Sequence, residues 1–205
     1  MSFKDFLIDL SAKRAPGPLP SFNVFDLIRL LRLLADKGFV GRSKISETLS
    51  LGEGVTRTML ERLAEADLIT ISRRGCSLTE KGKSVWKTVE EVMPKIAELE
   101  DLEPKIAPKN VAVLVRGRAE RVKSGIEQRD AAISNGAKGA ITAVYKDNRL
   151  IVPGVNIDLE KSYPRLFKII MRLMEPKEGD VIIISGADIL KNAEYGALAA
   201  AWSII

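Results

Sequence analysis

The stretch from Gly41 to Thr79, GRSKISETLSLGEGVTRTMLERLAEADLITISRRGCSLT, constrains the fold more than any other part of the chain. A short helix over Lys44–Ser50, capped by Ser43, carries Ile45 and Leu49 four residues apart and therefore on one face. Leu51-Gly52-Glu53-Gly54 supplies a turn, because glycine takes backbone conformations that side chains resist. A second helix follows over Val55–Ala66, with Val55, Met59 and Leu63 on one stripe and Leu60 beside them. Asp67 stands where the chain leaves the helix, and Asp tolerates the left-handed conformation better than most residues. Leu68–Ile71 and Cys76–Leu78 then read as two short strands joined by Ser72-Arg73-Arg74-Gly75.

Upstream, APGPLP at 15–20 is too rich in proline for helix or ladder, and separates a short amphipathic segment from the next helix. That helix spans Val24–Lys37, with Asn23 as its cap, an apolar face of Leu27, Leu30, Leu31 and Leu34, and Gly38 as its stop. Helix, helix, turn, helix and β-loop in this order predict a winged helix-turn-helix, whose last helix lies in a nucleic-acid groove. Double-stranded DNA is the expected partner. Off the apolar stripe lie Thr56, Arg57 and Glu61, with Thr58 and Arg62 on its flanks. Arg57 suits base readout, because its planar fork matches guanine O6 and N7. Thr56 and Thr58 place hydroxyls near a helix N-terminus, where phosphate is also favoured. Arg42, Lys44, Arg73 and Arg74 are the expected contacts to the DNA backbone. The competing reading is a winged helix used for protein contacts, in an adaptor linked to translation whose second domain binds RNA.

Charge is distributed in keeping with DNA binding. Residues 29–87 hold 12 basic and 7 acidic residues, whereas residues 88–104 hold one basic and six acidic. The chain has no histidine and a single cysteine, Cys76, which removes histidine-based catalytic constellations, nearly every zinc site and any internal disulfide. No metal, cofactor or enzymatic activity is expected. Apolar runs are far shorter than the ~20 residues of a membrane span, and the N-terminus lacks a secretory pattern, so a cytoplasmic protein is expected.

After Thr79 and Glu80, Val85, Val89, Val92, Ile96 and Leu99 recur at spacings of four and three, a short heptad seam that Pro94 interrupts. It reads either as a homodimer contact over Val85–Leu99 or as a helix packed on its own domain. Pro104 and Pro108 mark a boundary, giving domains 1–104 and 105–205. Beyond it come a strand (Val111–Arg116), a helix (Ala119–Asn135) and two strands (Gly139–Lys146, Arg149–Val152) around an Asp147-Asn148 turn. A helix (Tyr163–Met174), a buried strand (Val181–Ser185) and a last helix (Ile189–Ser203) complete the pattern. The expected fold class is therefore α+β in two domains. The first is a winged helix with a three-helix core and small β-wing. The second is a two-layer α+β domain with helices on one face of a mostly antiparallel sheet, the ferredoxin-like topology being the simplest case. Within it Arg116, Arg118 and Arg129 read either as a pocket for a small anionic effector or as a solvated basic face. The run Gly196–Ala201 reads as close helix-to-sheet packing.

The segment VTRTMLERLAEADLI resembles the second helix of archaeal and bacterial winged-helix regulators, over about residues 24–87. That resemblance implies DNA binding through Thr56, Arg57, Thr58 and Arg62. With GIEQRDAAISNGAKGAITAVYKDNRLIVPG and AEYGALAAAWSII, the whole chain resembles archaeal two-domain proteins that join such a winged helix to a C-terminal domain of unknown function. That likeness implies an architecture, not a chemistry; the function expected from the winged helix is that of a DNA-binding transcriptional regulator whose second domain binds a ligand or partner.

Overall fold

The computed structural model describes residues 2–12, 21–100, 103 and 105–205; the APGPLP segment and Pro104 lie outside the described residues. The chain divides into two compact units, Met1–Val89 and Glu90–Ile205.

In the first unit α1 spans Phe3–Ser11 and α2 spans Val24–Lys37. The Asn23 side-chain oxygen accepts from the Phe25 and Asp26 amides, and the Asp26 carboxylate accepts from the Asn23 amide. This reciprocal cap satisfies N–H groups that a helix start otherwise leaves unpaired. Gly38, at φ 73°, ends α2 as expected. α3 covers Arg42–Leu49 and α4 covers Glu53–Glu65. α3 begins earlier than expected, so Gly41 occupies the cap position and Ser43 lies inside the first turn. Arg29, buried on α2, donates to the Leu49 carbonyl at 2.9 Å and so fixes the end of α3 against α2. Asp67 takes the left-handed conformation expected of it, at φ 59°.

β1 (Ile69–Ser72) and β2 (Gly75–Leu78) pair antiparallel, with Ile69 opposite Leu78 and Ser72 opposite Gly75. Val40 adds a bridge to Cys76 on the far side of β2. A side chain at Gly75 would put its Cβ 2.8 Å from the Val40 carbonyl carbon, so this bridge requires glycine there. α1 is held by Arg62 of α4, whose guanidinium donates to the carbonyls of Leu10 at 3.0 Å and Ala12 at 2.6 Å. The same group lies 5.3 Å from the centroid of the Phe22 ring. A cation at the end of α1 satisfies carbonyls that the helix itself leaves open.

α5 runs from Glu80 to Val92 and stops before Pro94, because the residue ahead of a proline is disfavoured in the helical region. The chain then forms β3 (Lys95–Glu98), an edge strand of the second unit's sheet. The heptad seam is therefore not one helix: Ile96 is in a strand and Leu99 is buried in the core beneath the sheet. The Val85–Leu99 segment is therefore a helix followed by a strand and offers no single helical seam.

The second unit adds β4 (Lys109–Val115), a 3-10 turn at Ala119–Arg121, α6 (Ile126–Ser134), β5 (Gly139–Lys146) and β6 (Arg149–Val152). β7 (Ile157–Asp158), α7 (Leu159–Ser162), α8 (Pro164–Met174), β8 (Val181–Ala187) and α9 (Leu190–Trp202) follow. The helix expected over Ala119–Asn135 is split, because Gly125 turns left-handed at φ 82° ahead of α6. The six strands lie in the order β3-β4-β8-β5-β6-β7, and every neighbouring pair is antiparallel. Thus the antiparallel α+β expectation holds. The strand order differs from the ferredoxin-like case: β8 enters between β4 and β5, with Ser185 opposite Val111 on one side and Ala140 on the other. Helices also cover both faces rather than one. α6 and α9 pack on the Val113 and Ile183 side, while Leu166, Ile170 and Met174 of α8 join Leu114, Ala143 and Ile182 on the other. Two-sided cover matches the continuous burial of β4 from Asn110 onward and of all of β8. A Cβ at Gly196 would collide with the Ser185 hydroxyl and Ala137, the physical reason for the small-residue run in α9.

Asp180, 2% exposed, organises the end of this sheet. Its carboxylate accepts from the Arg116 guanidinium, from the Gly117 amide at 3.0 Å and from the Lys177 amide at 2.7 Å. Replacing Asp180 with Ala strands all three donors and should cost about 3 kcal/mol in the second unit. Urea denaturation followed by hydrogen exchange of β8 is the check, and an unchanged midpoint would refute the role. Arg62→Ala should free α1 at a cost of about 1–3 kcal/mol. Exchange of the α1 amides should then rise while that of α2 does not.

Candidate nucleic-acid interface

The apolar face of α4 determines what the helix shows to solvent. Thr56, Met59, Leu60 and Leu63 are buried, whereas Val55 is only half-buried. The inward stripe thus starts at Thr56 rather than Val55, because positions 56, 59/60 and 63 make one helical face as well as 55, 59 and 63 do. Thr56 is 0% exposed and cannot meet a base, a correction to its expected role. Arg62 is withdrawn too, since its guanidinium caps α1. Thr58 is exposed, but its hydroxyl donates to the Gly54 carbonyl at 3.1 Å, the back-bonding typical of threonine inside a helix.

Arg57 remains. It is exposed on α4 and lines a cavity of about 670 Å3 that also touches Arg42, Lys44, Glu61, Ile71 and Cys76. The walls are the start of α3, the outer face of α4 and the β1–β2 hairpin. Three of the predicted cations therefore converge on one concave surface. Lys44 also pairs with Glu47 at 2.9 Å, one turn along α3, a contact that solvent weakens. With Gly41 as cap and no side chain accepting there, the first amides of α3 also face outward as donors. Arg73 and Arg74 are exposed in the hairpin turn, and Arg74 lies 4.5 Å from the centroid of the Phe39 ring, which orients its guanidinium. Cys76 lies on this cavity with its thiol pKa raised by burial, against a smaller opposing effect of Arg42.

Glu61 is the charged residue of this cavity that is not among the expected DNA contacts. Its spacing of four from Arg57 is the signal for it, since residues i and i+4 share a helix face.

The three arginines of the expected effector pocket are each engaged by other groups. Arg116 is bound to Asp180. Arg118 donates to the adjacent Gly117 carbonyl at 3.3 Å, and Arg129 pairs with its neighbour Asp130 at 3.1 Å. A separate cavity of about 410 Å3 in the second unit is lined in part by Glu120, Val122, Lys146, Asp147 and Arg149, and not by those three. Among the described residues no cluster of metal-ligating side chains occurs, and no helix is long and apolar enough to cross a membrane.

Comparison with known proteins agrees with the two units. The N-terminal domain of PH0730-like proteins matches residues 24–84, and a domain of unknown function, DUF4443, matches residues 106–204. The solved structure of hypothetical protein PH0730 from Pyrococcus horikoshii OT3 superposes with a TM-score of 0.74 at 32% identity, covering 90% of this chain and 93% of that one. A shorter likeness, 32% identical over 98 residues, is to the central glycolytic genes regulator of Priestia megaterium (strain DSM 319 / IMG 1521). It takes in 47% of this chain and 28% of the regulator, so this chain spans less than a third of that protein. By its two successive domains and its similarity along nearly the whole of PH0730, the chain belongs to the PH0730-like family.

Proposed function

We propose that the first unit is a winged helix that binds double-stranded DNA, and that the protein is a transcriptional regulator. The observation that carries this reading is the convergence of Arg42, Lys44 and Arg57 on one cavity between α3, α4 and the hairpin. α4 would enter the major groove with Arg57 over base edges, while Arg42, Lys44 and the α3 amides hold phosphate. Arg73 and Arg74, at the hairpin tip, would hold the neighbouring backbone or minor groove. The partial likeness to a gene regulator supports the same role. The second unit would then serve a ligand or partner.

A second reading, an adaptor whose hairpin face meets protein, draws on two exposed apolar side chains there, Phe39 at 48% and Ile71 at 58%. The two readings separate in a titration with duplex DNA and RNA over a range of salt. A DNA-binding protein should lose affinity as salt rises, by roughly 0.9 in log slope for each phosphate neutralised. Arg42→Ala and Lys44→Ala should each lower that slope by about 1. Arg57→Ala should cost about 1–3 kcal/mol on the preferred sequence and relax specificity there. Absence of duplex binding even at low salt would remove the regulator reading and favour the adaptor.

A further inference from the structure

Glu61 is a carboxylate on a surface otherwise suited to phosphate. It is exposed, it lines the same cavity as Arg57, and it lies one helical turn further along α4. Neither residue spends its charge on the other: no salt bridge or side-chain hydrogen bond joins either of them to another described residue. An acid so placed repels a phosphate backbone, so it weakens grip wherever α4 meets DNA in no particular sequence. It becomes favourable only where a donor on a base edge faces it. In the major groove the donors are the amino groups of cytosine N4 and adenine N6; adenine carries the acceptor N7 beside its N6, which repels a carboxylate, so cytosine N4 is the donor that suits Glu61.

Resting on the DNA-binding reading above, we propose that Glu61 is a specificity-determining residue that selects cytosine, paired in its action with Arg57 on guanine. The helix sets the spacing. Four residues rise ~6 Å along α4, and successive bases on a strand are ~3.4 Å apart, so the two contacts fall about two base steps apart. The preferred site therefore holds a guanine and a cytosine at that separation. Arg57 adds a cation and Glu61 an anion, so together they add almost nothing to the general attraction for DNA. Their contribution is discrimination.

The test is selection of duplexes from a random pool by the full chain and by Glu61→Gln, Glu61→Ala and Arg57→Ala. Affinity for an unselected duplex is measured beside each selection. Glu61 is exposed, so both of its variants should keep the parent's circular dichroism and melting curve. The parent should prefer cytosine at one position by roughly 5- to 150-fold, the range of a good side-chain contact to a base. Glu61→Ala should lose that preference alone and bind unselected DNA more tightly. Glu61→Gln should shift the preference at the same position toward adenine, whose N6 and N7 a carboxamide pairs. Arg57→Ala should leave the cytosine preference and remove the guanine. If the parent binds DNA and both Glu61 variants keep its preference at every position, the assignment is overturned while DNA binding stands. If the parent retains no duplex at low salt, the assignment falls together with the reading beneath it.

Discussion

Burial of one face of α4 is the constraint from which the candidate interface follows. Met59, Leu60 and Leu63 lose nearly all their exposure, and Thr56 with them. Burying side chains of this size stabilises the unit by about 1.5–3 kcal/mol each, more than the charged residues opposite could recover by turning inward. The helix therefore has one permitted rotation, which leaves Arg57, Thr58 and Glu61 outside together with Glu53, Gly54 and Glu65. Two further contacts lock that rotation. The Arg29 guanidinium secures the end of α3 through the Leu49 carbonyl, and the Arg62 guanidinium joins α4 to the end of α1.

The arginines of this chain divide by what their forks reach. Arg29 and Arg62 meet carbonyls at helix ends, Arg116 meets a buried carboxylate, and Arg149 donates twice to Asp158, at 3.0 and 2.8 Å. That last contact, first through its hydrogen bonds, holds the Asp158 carboxyl below the usual carboxylate range. Each of these groups is held by fixed acceptors, so turning it fully to a ligand breaks a structural contact. Arg57 and Arg42 have no such acceptor among the described residues. Counting arginines in the sequence cannot separate these two populations, because the carbonyl that claims Arg62 lies some fifty residues away in the chain.

What was legible in the sequence was whatever local chemistry decides. Asn23 and Gly38 bound α2 at the expected residues, Asp147 and Asn148 turn with positive φ, and β5 and β6 begin and end where alternation and that turn put them. What was not legible depended on distant partners. Pro94 reads as a kink or as the first turn of a restarted helix, and neither forms because β4 offers Lys95–Glu98 a ladder. The same holds for β7, two residues long and defined by pairing with β6. Strand order in the second sheet is likewise a matter of partners: nothing in Val181–Ala187 says that it lies between β4 and β5. At the interface the same division applies. The basic residues around α3 and the hairpin were readable, whereas the one-residue phase of α4 that buries Thr56 was not, since threonine suits either face.

Under the proposed function, grip and discrimination rest on different parts of the first unit. Arg42, Lys44, Arg73 and Arg74 stand exposed at the start of α3 and in the hairpin turn, where solvated cations lose little by meeting any phosphate. Their contribution grows with the number of phosphates met and declines with salt. Arg57 and Glu61 stand on the rigid helix between them, opposite in sign and one turn apart. A rigid, nearly neutral pair gains little from the average field of a duplex and much from a matching pattern of donors and acceptors. Such a surface favours sequence ratio over raw affinity, which is what a protein must have to find one site among very many competing ones.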